Sequence, residues 1–244
     1  MSAAPAGPPA TPTPYAPRGV EDVHLRVPVG LATVLTVLLS LSVGLAAYAV
    51  YADWTMRTLM ERLLADAASV TDAELDEDRR FLAVAGKMQG YAFLVTAGVF
   101  IGWFHKVRTN AEVFAPGAEK RSPDWAIAAW FIPLVNLWLP YRIAATTWDS
   151  STPHGADGSP GHRPLPLVRV WWGVFVLARV LGWCGGMALN LAQSPVASSH
   201  AVAAMLAADV LDIIAAVLAV LFVRRLSAMQ HVKGAQGPYV ATVR

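Results

Sequence analysis

Charged side chains are scarce in this sequence of 244 residues. Asp, Glu, Lys and Arg together make up 15% of the chain, whereas they make up about a quarter of an average soluble domain. Four stretches contain none of them: 27–52, 88–104, 125–141 and 180–208. A soluble fold of this length cannot bury so many long apolar runs, so the sequence predicts an integral membrane protein.

Other scarcities exclude several classes of function. The single cysteine, Cys184, rules out a disulfide within the chain and a zinc site built on thiolates. A net charge of +2 without a basic stripe argues against nucleic acid as a partner. HExxH, GxSxG, Walker and GxGxxG motifs are absent, and the six histidines are scattered. We therefore expect no catalytic, cofactor-binding or metal-binding residues, no cofactor and no enzyme activity.

Four apolar runs have the length of membrane spans, and they predict an all-α, multi-pass transmembrane helical bundle. Their expected positions are about 29–51, 86–104, 169–191 and 201–223. The region 52–85 between the first two runs is acidic, with eight acids and four arginines over residues 53–80. We expect it to be helical, external and solvated, and Thr71 followed by Glu74 predicts a capping box that opens the second helix.

A shorter apolar segment, 125–141, is interrupted by Pro133 and Pro140, with Asn136 between them. Proline removes backbone donors, and Trp138 and Tyr141 are typical of the membrane interface. The segment is therefore predicted to be re-entrant or interfacial rather than a fifth span. The prolines leave backbone carbonyls of the segment without their helical hydrogen bonds. These carbonyls could bind a ligand, as in transporters with broken helices, or accept hydrogen bonds from Asn136.

The distribution of Lys and Arg predicts the orientation. With both termini in the cytoplasm and 125–141 not crossing, 13 of these residues lie inside and five outside, with Arg179 in the bilayer. The expected organisation is a cytoplasmic tail over 1–26, a membrane bundle over 27–226 and a second cytoplasmic tail over 227–244. The first 17 residues include six prolines, which is typical of disorder.

Three charges inside the predicted spans form a candidate functional site, namely Arg179, Asp209 and Asp212. The last two predicted spans are antiparallel and are joined by a loop centred between residues 195 and 196. Two residues equally far from that centre, whose numbers sum to about 391, therefore lie at the same depth in the membrane, and Arg179 and Asp212 are such a pair. We expect that pair to form, with Asp209 titratable. This cluster fits two roles: a structural one, in which the ion pair holds the two helices together, and a functional one, in which Asp209 binds and releases a proton.

Small residues at one-turn spacing are candidate helix-packing positions. Gly98 and Gly102 form one such pair, and Gly182 and Gly186 form another beside Arg179. A homo-oligomer is compatible with the first pair.

A set of aromatic, proline and polar residues resembles a known family. They are Trp103, Phe104, Arg108, Asn110, Ala111, Ser122, Pro123, Trp125, Ala126, Trp130, Phe131, Pro133, Asn136, Leu137, Trp138, Pro140, Tyr141, Trp148 and Ser151. Their spacing over about residues 85–225 is similar to that of domain of unknown function 4328. The resemblance implies a multi-pass bacterial cell-membrane protein, with no activity assigned.

Two classes of function remain open from the sequence. The preferred one is a non-enzymatic scaffold or regulatory protein whose Pro-rich N-terminal tail and cytoplasmic loops recruit a protein partner. The alternative is a small transporter or proton-coupled carrier that uses the intramembrane charges. The lipid bilayer is the expected surrounding in both.

Overall fold

The computed structural model describes residues 27–155, 159, 161 and 164–236, and all regular secondary structure in these ranges is helical. The α-helices are α1 (Val29–Ala65), α2 (Asp72–Phe114), α3 (Trp125–Ala128), α4 (Leu139–Ser151), α5 (Pro166–Leu191) and α6 (Pro195–Gln236). Short 3₁₀ turns lie at Ala67–Ser69 and Val135–Leu137. The predicted tail over residues 1–26 and the end of the predicted C-terminal tail lie outside the described residues.

Helices α1, α2, α5 and α6 are long and apolar enough to cross a membrane, which confirms the predicted bundle. Their outer faces carry large apolar side chains, such as Val37 and Leu94, which are 62% and 67% exposed. Side chains of this kind on the outside of a bundle suit a lipid surrounding.

The acidic region forms a helical hairpin, with α1 continuing to Ala65 and α2 beginning at Asp72. Thr71 and Glu74 form the predicted capping box. The Glu74 backbone N–H donates to Thr71 Oγ1 at 3.2 Å, and the Thr71 N–H donates to Glu74 Oε2 at 2.9 Å. The hairpin therefore has a fixed turn rather than a flexible loop.

Helix α6 is longer at both ends than the sequence indicated. It begins at Pro195, a residue suited to the first turn, where Ser194 Oγ accepts a hydrogen bond from the Ala197 N–H at 3.2 Å. It continues past Arg224 and Arg225 to Gln236, so the first ten residues of the predicted C-terminal tail are helical. Their location in the cytoplasm stays a prediction.

Helix α6 is the centre of the bundle and packs along both α1 and α5, while α2 packs along α1 and also contacts α3 and α4. Aromatic rings fill the core where α2, α4, α5 and α6 meet. Phe222 stacks on Trp171 with ring centroids 4.9 Å apart and meets Trp103 edge-on at 5.7 Å. This core holds α2 against α6 at one end of the bundle.

The Pro-broken segment forms no helix long enough to cross a membrane, as predicted. It consists of α3, turns, the second 3₁₀ turn and the first three residues of α4, and Leu134 has a positive φ of 63°. The indole of Trp172 donates to the Leu137 carbonyl at 2.9 Å. Phe131 and Leu134 are each 71% exposed, which suits an interfacial position, although the depth of the segment stays a prediction.

Candidate functional site

Arg179 of α5 and Asp212 of α6 form an ion pair through Arg179 Nη2 and Asp212 Oδ2. This is the pair that the register of the two helices predicted. The Arg179 guanidinium also lies over the ring of Phe93 on α2, 5.2 Å from the centroid. The arginine is thus held by a carboxylate on one neighbouring helix and an aromatic face on another.

Asp209 is one turn from Asp212 on α6 and receives a hydrogen bond from Gln89 Nε2 at 2.9 Å. The carboxyl group of Asp53 on α1 lies against that of Asp209. Asp53 is 1% exposed, and within the described part of the chain neither of its two carboxyl oxygens has a hydrogen-bond partner. The cluster therefore draws one polar or charged side chain from each of α1, α2 and α5 and two from α6.

Sequence reasoning missed two members of this charge cluster. It assigned Asp53 to the solvated acidic region, which was wrong, and it did not consider Gln89. The buried positions of α1 recur every three or four residues, as Ala46, Ala49, Asp53 and Met56 do. That periodicity places Asp53 on the buried face and could have identified it.

A cavity of about 990 Å³ lies between the four long helices, beside the charge cluster. Gln89, Arg179, Asp209 and Asp212 line one part of it. Aromatic side chains of α2, α5 and the segment after α3 line another part: Phe93, Phe100, Trp130, Trp171, Phe175 and Trp183. The site therefore combines an acidic polar end with aromatic walls.

The Pro-broken motif borders the same cavity through Asn136 and Leu137. Its other members lie elsewhere, since Pro140 is buried in the first turn of α4 and Trp138 is 50% exposed. Tyr141 packs against the aromatic core. Of the motif residues singled out in the sequence, Asn136 is the one placed to meet a ligand in the cavity.

One of the four predicted packing glycines lies at a contact between helices. A Cβ on Gly182 would lie 3.5 Å from the Ala208 Cβ, an ordinary van der Waals distance, where α5 meets α6. Gly98, Gly102 and Gly186 have open space where a Cβ would be, so no helix of the described chain packs closely on them, and their role in packing stays a prediction. The helical face that meets α6 instead carries Gly185, which the sequence reasoning passed over.

A second polar cluster, the Gln230 cluster, lies at the opposite end of α6. Gln230 is fully buried, donates to the Val107 carbonyl at 2.7 Å and to Ser151 Oγ at 2.9 Å, and accepts from Asn110 Nδ2 at 3.1 Å. Nearby, Trp103 Nε1 donates to Ser227 Oγ at 3.3 Å. Its saturated hydrogen bonding indicates a structural role, joining α2, α4 and α6.

Trp103, Asn110 and Ser151 belong to the family pattern seen in the sequence, and the structure brings them together around α6. A family model described as Domain of unknown function (DUF4328) matches residues 66–228, more than half of the chain. No curated protein matches the chain, and no solved structure does. The resemblance is therefore confirmed, and the chain belongs to the DUF4328 family.

Proposed function

We propose that this protein is a small-molecule carrier that couples movement of its substrate to protons. The observation that carries the proposal is the charge cluster, which joins all four long helices beside a cavity of about 990 Å³. Ionisable groups inside membrane helices are costly, and they commonly mark pathways for substrates or protons.

The composition of the cluster supports coupling to protons. It holds three carboxyl groups, of Asp53, Asp209 and Asp212, and one guanidinium, of Arg179. Asp212 is neutralised by Arg179, which leaves two carboxyls without a counter-cation. An unpaired carboxylate in hydrocarbon is strongly unfavourable, so such a group binds a proton. It releases the proton when another cation or water stabilises the carboxylate instead.

Residues from all four long helices form the charge cluster, and this supports a mechanism in which the helices move relative to one another. Because each helix supplies part of the cluster, any shift of one helix relative to α6 changes the contacts of Asp209. Carriers alternate between states by moving one group of helices against another around a central site. The proposed role is binding and translocation rather than catalysis.

A scaffold or regulatory function is the other candidate from the sequence. It depends on the cytoplasmic loops and on the Pro-rich tail within residues 1–26, which lies outside the described residues. From the Lys and Arg distribution we propose that both termini lie in the cytoplasm, and from the family resemblance that the cell is bacterial.

Proton movement in proteoliposomes tests the carrier function. Purified protein is reconstituted with an internal pH dye and challenged separately with benzyltrimethylammonium, phenylmethanesulfonate and N-benzylacetamide. We expect at least one probe to move protons, with Asp209→Asn abolishing the signal. Glu77→Gln, an exposed acid in the α1–α2 hairpin, is the matched control and should leave the signal unchanged. Proton movement that is insensitive to Asp209→Asn, or absent with all three probes, contradicts the proposal.

A further inference from the structure

The sign of the charge cluster limits what the cavity can bind. The groups that face Asp209 are Asp53 from α1, Gln89 from α2, Arg179 from α5 and Asp212 from its own helix. Carboxyls outnumber guanidinium groups by three to one, so the fully ionised site has a net charge of −2. An anionic ligand would add to this unfavourable charge, whereas a cationic ligand would reduce it.

The walls of the cavity favour an organic cation over an inorganic one. Aromatic side chains pack well against apolar and aromatic parts of a ligand, and the cavity presents Phe93, Trp171 and Phe175. In the described part of the chain, no three His, Cys, Asp or Glu side chains converge as a metal-ligand set. The volume of about 990 Å³ lies at the upper end of the usual range for small-molecule sites.

The distance between the two ends of the site indicates an elongated ligand. Arg179 and Trp171 are eight residues apart on α5, which corresponds to about 12 Å along the helix axis. A ligand that spans them has its charge at the acidic end and an apolar or aromatic body at the other.

Unpartnered polar atoms along the wall point independently to a ligand. Thr96 is 8% exposed and lines the cavity, and its hydroxyl has no hydrogen-bond partner among the described residues. The same holds for the indole N–H of Trp130 and for Nε of Arg179, both from residues that line the cavity. Buried polar groups of this kind normally have partners, and here three unpartnered groups belong to residues of the cavity wall.

We propose that the cavity binds a monovalent amphipathic organic cation, an amine or quaternary ammonium with an aromatic or apolar body, in exchange for one proton. This inference rests on the proposed carrier function and names its substrate class. The ammonium group lies beside Asp209, and the body lies along the aromatic wall. The empty site is neutral with two protons on Asp53 and Asp209. Binding of one cation displaces one of these protons to water, so the site stays neutral.

Calorimetric binding by the purified full-length protein in detergent tests the exchange. Benzyltrimethylammonium and phenylmethanesulfonate are the probes, because they share a benzyl body and differ in the sign of the charge. We expect the ammonium probe to bind, with an affinity that rises about tenfold per pH unit while one proton is displaced. Titrations in buffers of different ionisation enthalpy should report the release of one proton per probe bound.

Two variants make the binding test specific. Asp209→Asn should weaken binding of the ammonium probe at least tenfold and remove its pH dependence, while Glu77→Gln should leave both unchanged. Thermal unfolding of each preparation verifies that the variant is folded. If Asp209→Asn does not yield folded protein, Asp209→Ser takes its place, because it also removes the carboxyl beside the ammonium group, and it should weaken binding and remove the pH dependence in the same way.

The outcomes separate this inference from the carrier function. Preference for phenylmethanesulfonate, with proton movement in proteoliposomes that still requires Asp209, overturns the substrate class and leaves the carrier. Binding of the ammonium probe without pH dependence overturns the exchange. Failure of the ammonium probe to bind, together with no proton movement for any probe, overturns both.

Discussion

At the scale of single residues, Gly185 marks the closest approach of α5 to α6. A Cβ at this position would lie 2.9 Å from Met205 Cγ, 3.1 Å from the Met205 backbone N and 3.2 Å from the Ala201 carbonyl oxygen. Two of these atoms belong to backbone and cannot move aside cheaply.

Gly185→Ala should therefore destabilise the protein by about 1–3 kcal/mol, the usual cost of overpacking, less the gain of up to about 1 kcal/mol from better helix propensity. Unfolding in mixed micelles measures the change. Gly186→Ala is the control, because its Cβ meets open space, and it should be neutral or stabilising. Equal stability of the two variants would show that the contact between α5 and α6 is looser than described.

The ion pair of Arg179 and Asp212 yields a second prediction. Arg179→Leu leaves Asp212 without its counter-ion and should cost about 3–5 kcal/mol of unfolding free energy. Replacing Asp212 by Leu in the same chain should recover most of that loss. Arg169→Leu, on an exposed position of α5, is the control and should change stability little. No recovery in the double variant would contradict a simple pair.

The burial of Asp53 bears on a wider rescue experiment that removes all three charges of the site predicted from the sequence. Replacing Arg179, Asp209 and Asp212 together by apolar residues would leave the buried Asp53 carboxyl without the Asp209 carboxyl beside it. Full restoration of stability therefore requires a fourth change, at Asp53.

At the scale of elements, the Pro-broken segment 125–141 decides the topology. If it does not cross, residues on either side of it lie on one face of the membrane. In a Cys184→Ser background, Ala118→Cys and Ser159→Cys should react with a membrane-impermeant maleimide from the same side. Ala68→Cys in the α1–α2 turn should react from the other side. Labelling of positions 118 and 159 from opposite sides would contradict the four-span arrangement.

The elements that the sequence predicts well are those determined by local pattern. Uncharged runs locate the four long helices, the capping box locates the start of α2, and the spacing of helices α5 and α6 along the chain pairs Arg179 with Asp212. Each of these depends on neighbouring residues or on two consecutive helices.

What the sequence does not reveal depends on contacts between distant parts of the chain. Asp53 and Asp209 are brought together because α1 packs along α6, and Gln230 meets Asn110 because α2 reaches the far end of α6. Hydropathy describes how apolar a helix is but not which helix lies beside it. The partners of buried polar residues therefore require the three-dimensional arrangement.

At the scale of the whole molecule, the described bundle is held by contacts among its own helices. Deleting residues 1–17 should therefore leave membrane yield and thermal unfolding unchanged, because their composition cannot bury a core. The matched comparison is the full-length chain in the same membranes. A clear loss of yield or stability would show that the tail packs against the bundle and would support a role in recruiting or regulating through it.

The long helices differ in stiffness, and this has a mechanical consequence. Helix α6 has neither glycine nor proline from 196 to 233, so it has no residue at which sharp bends usually form. Helix α2 has four glycines with open space around them, and Gly86 and Gly90 line the cavity. We expect α6 to stay straight and to hold both polar clusters in fixed positions. We expect α2 to bend at its glycines when a ligand enters or leaves the cavity.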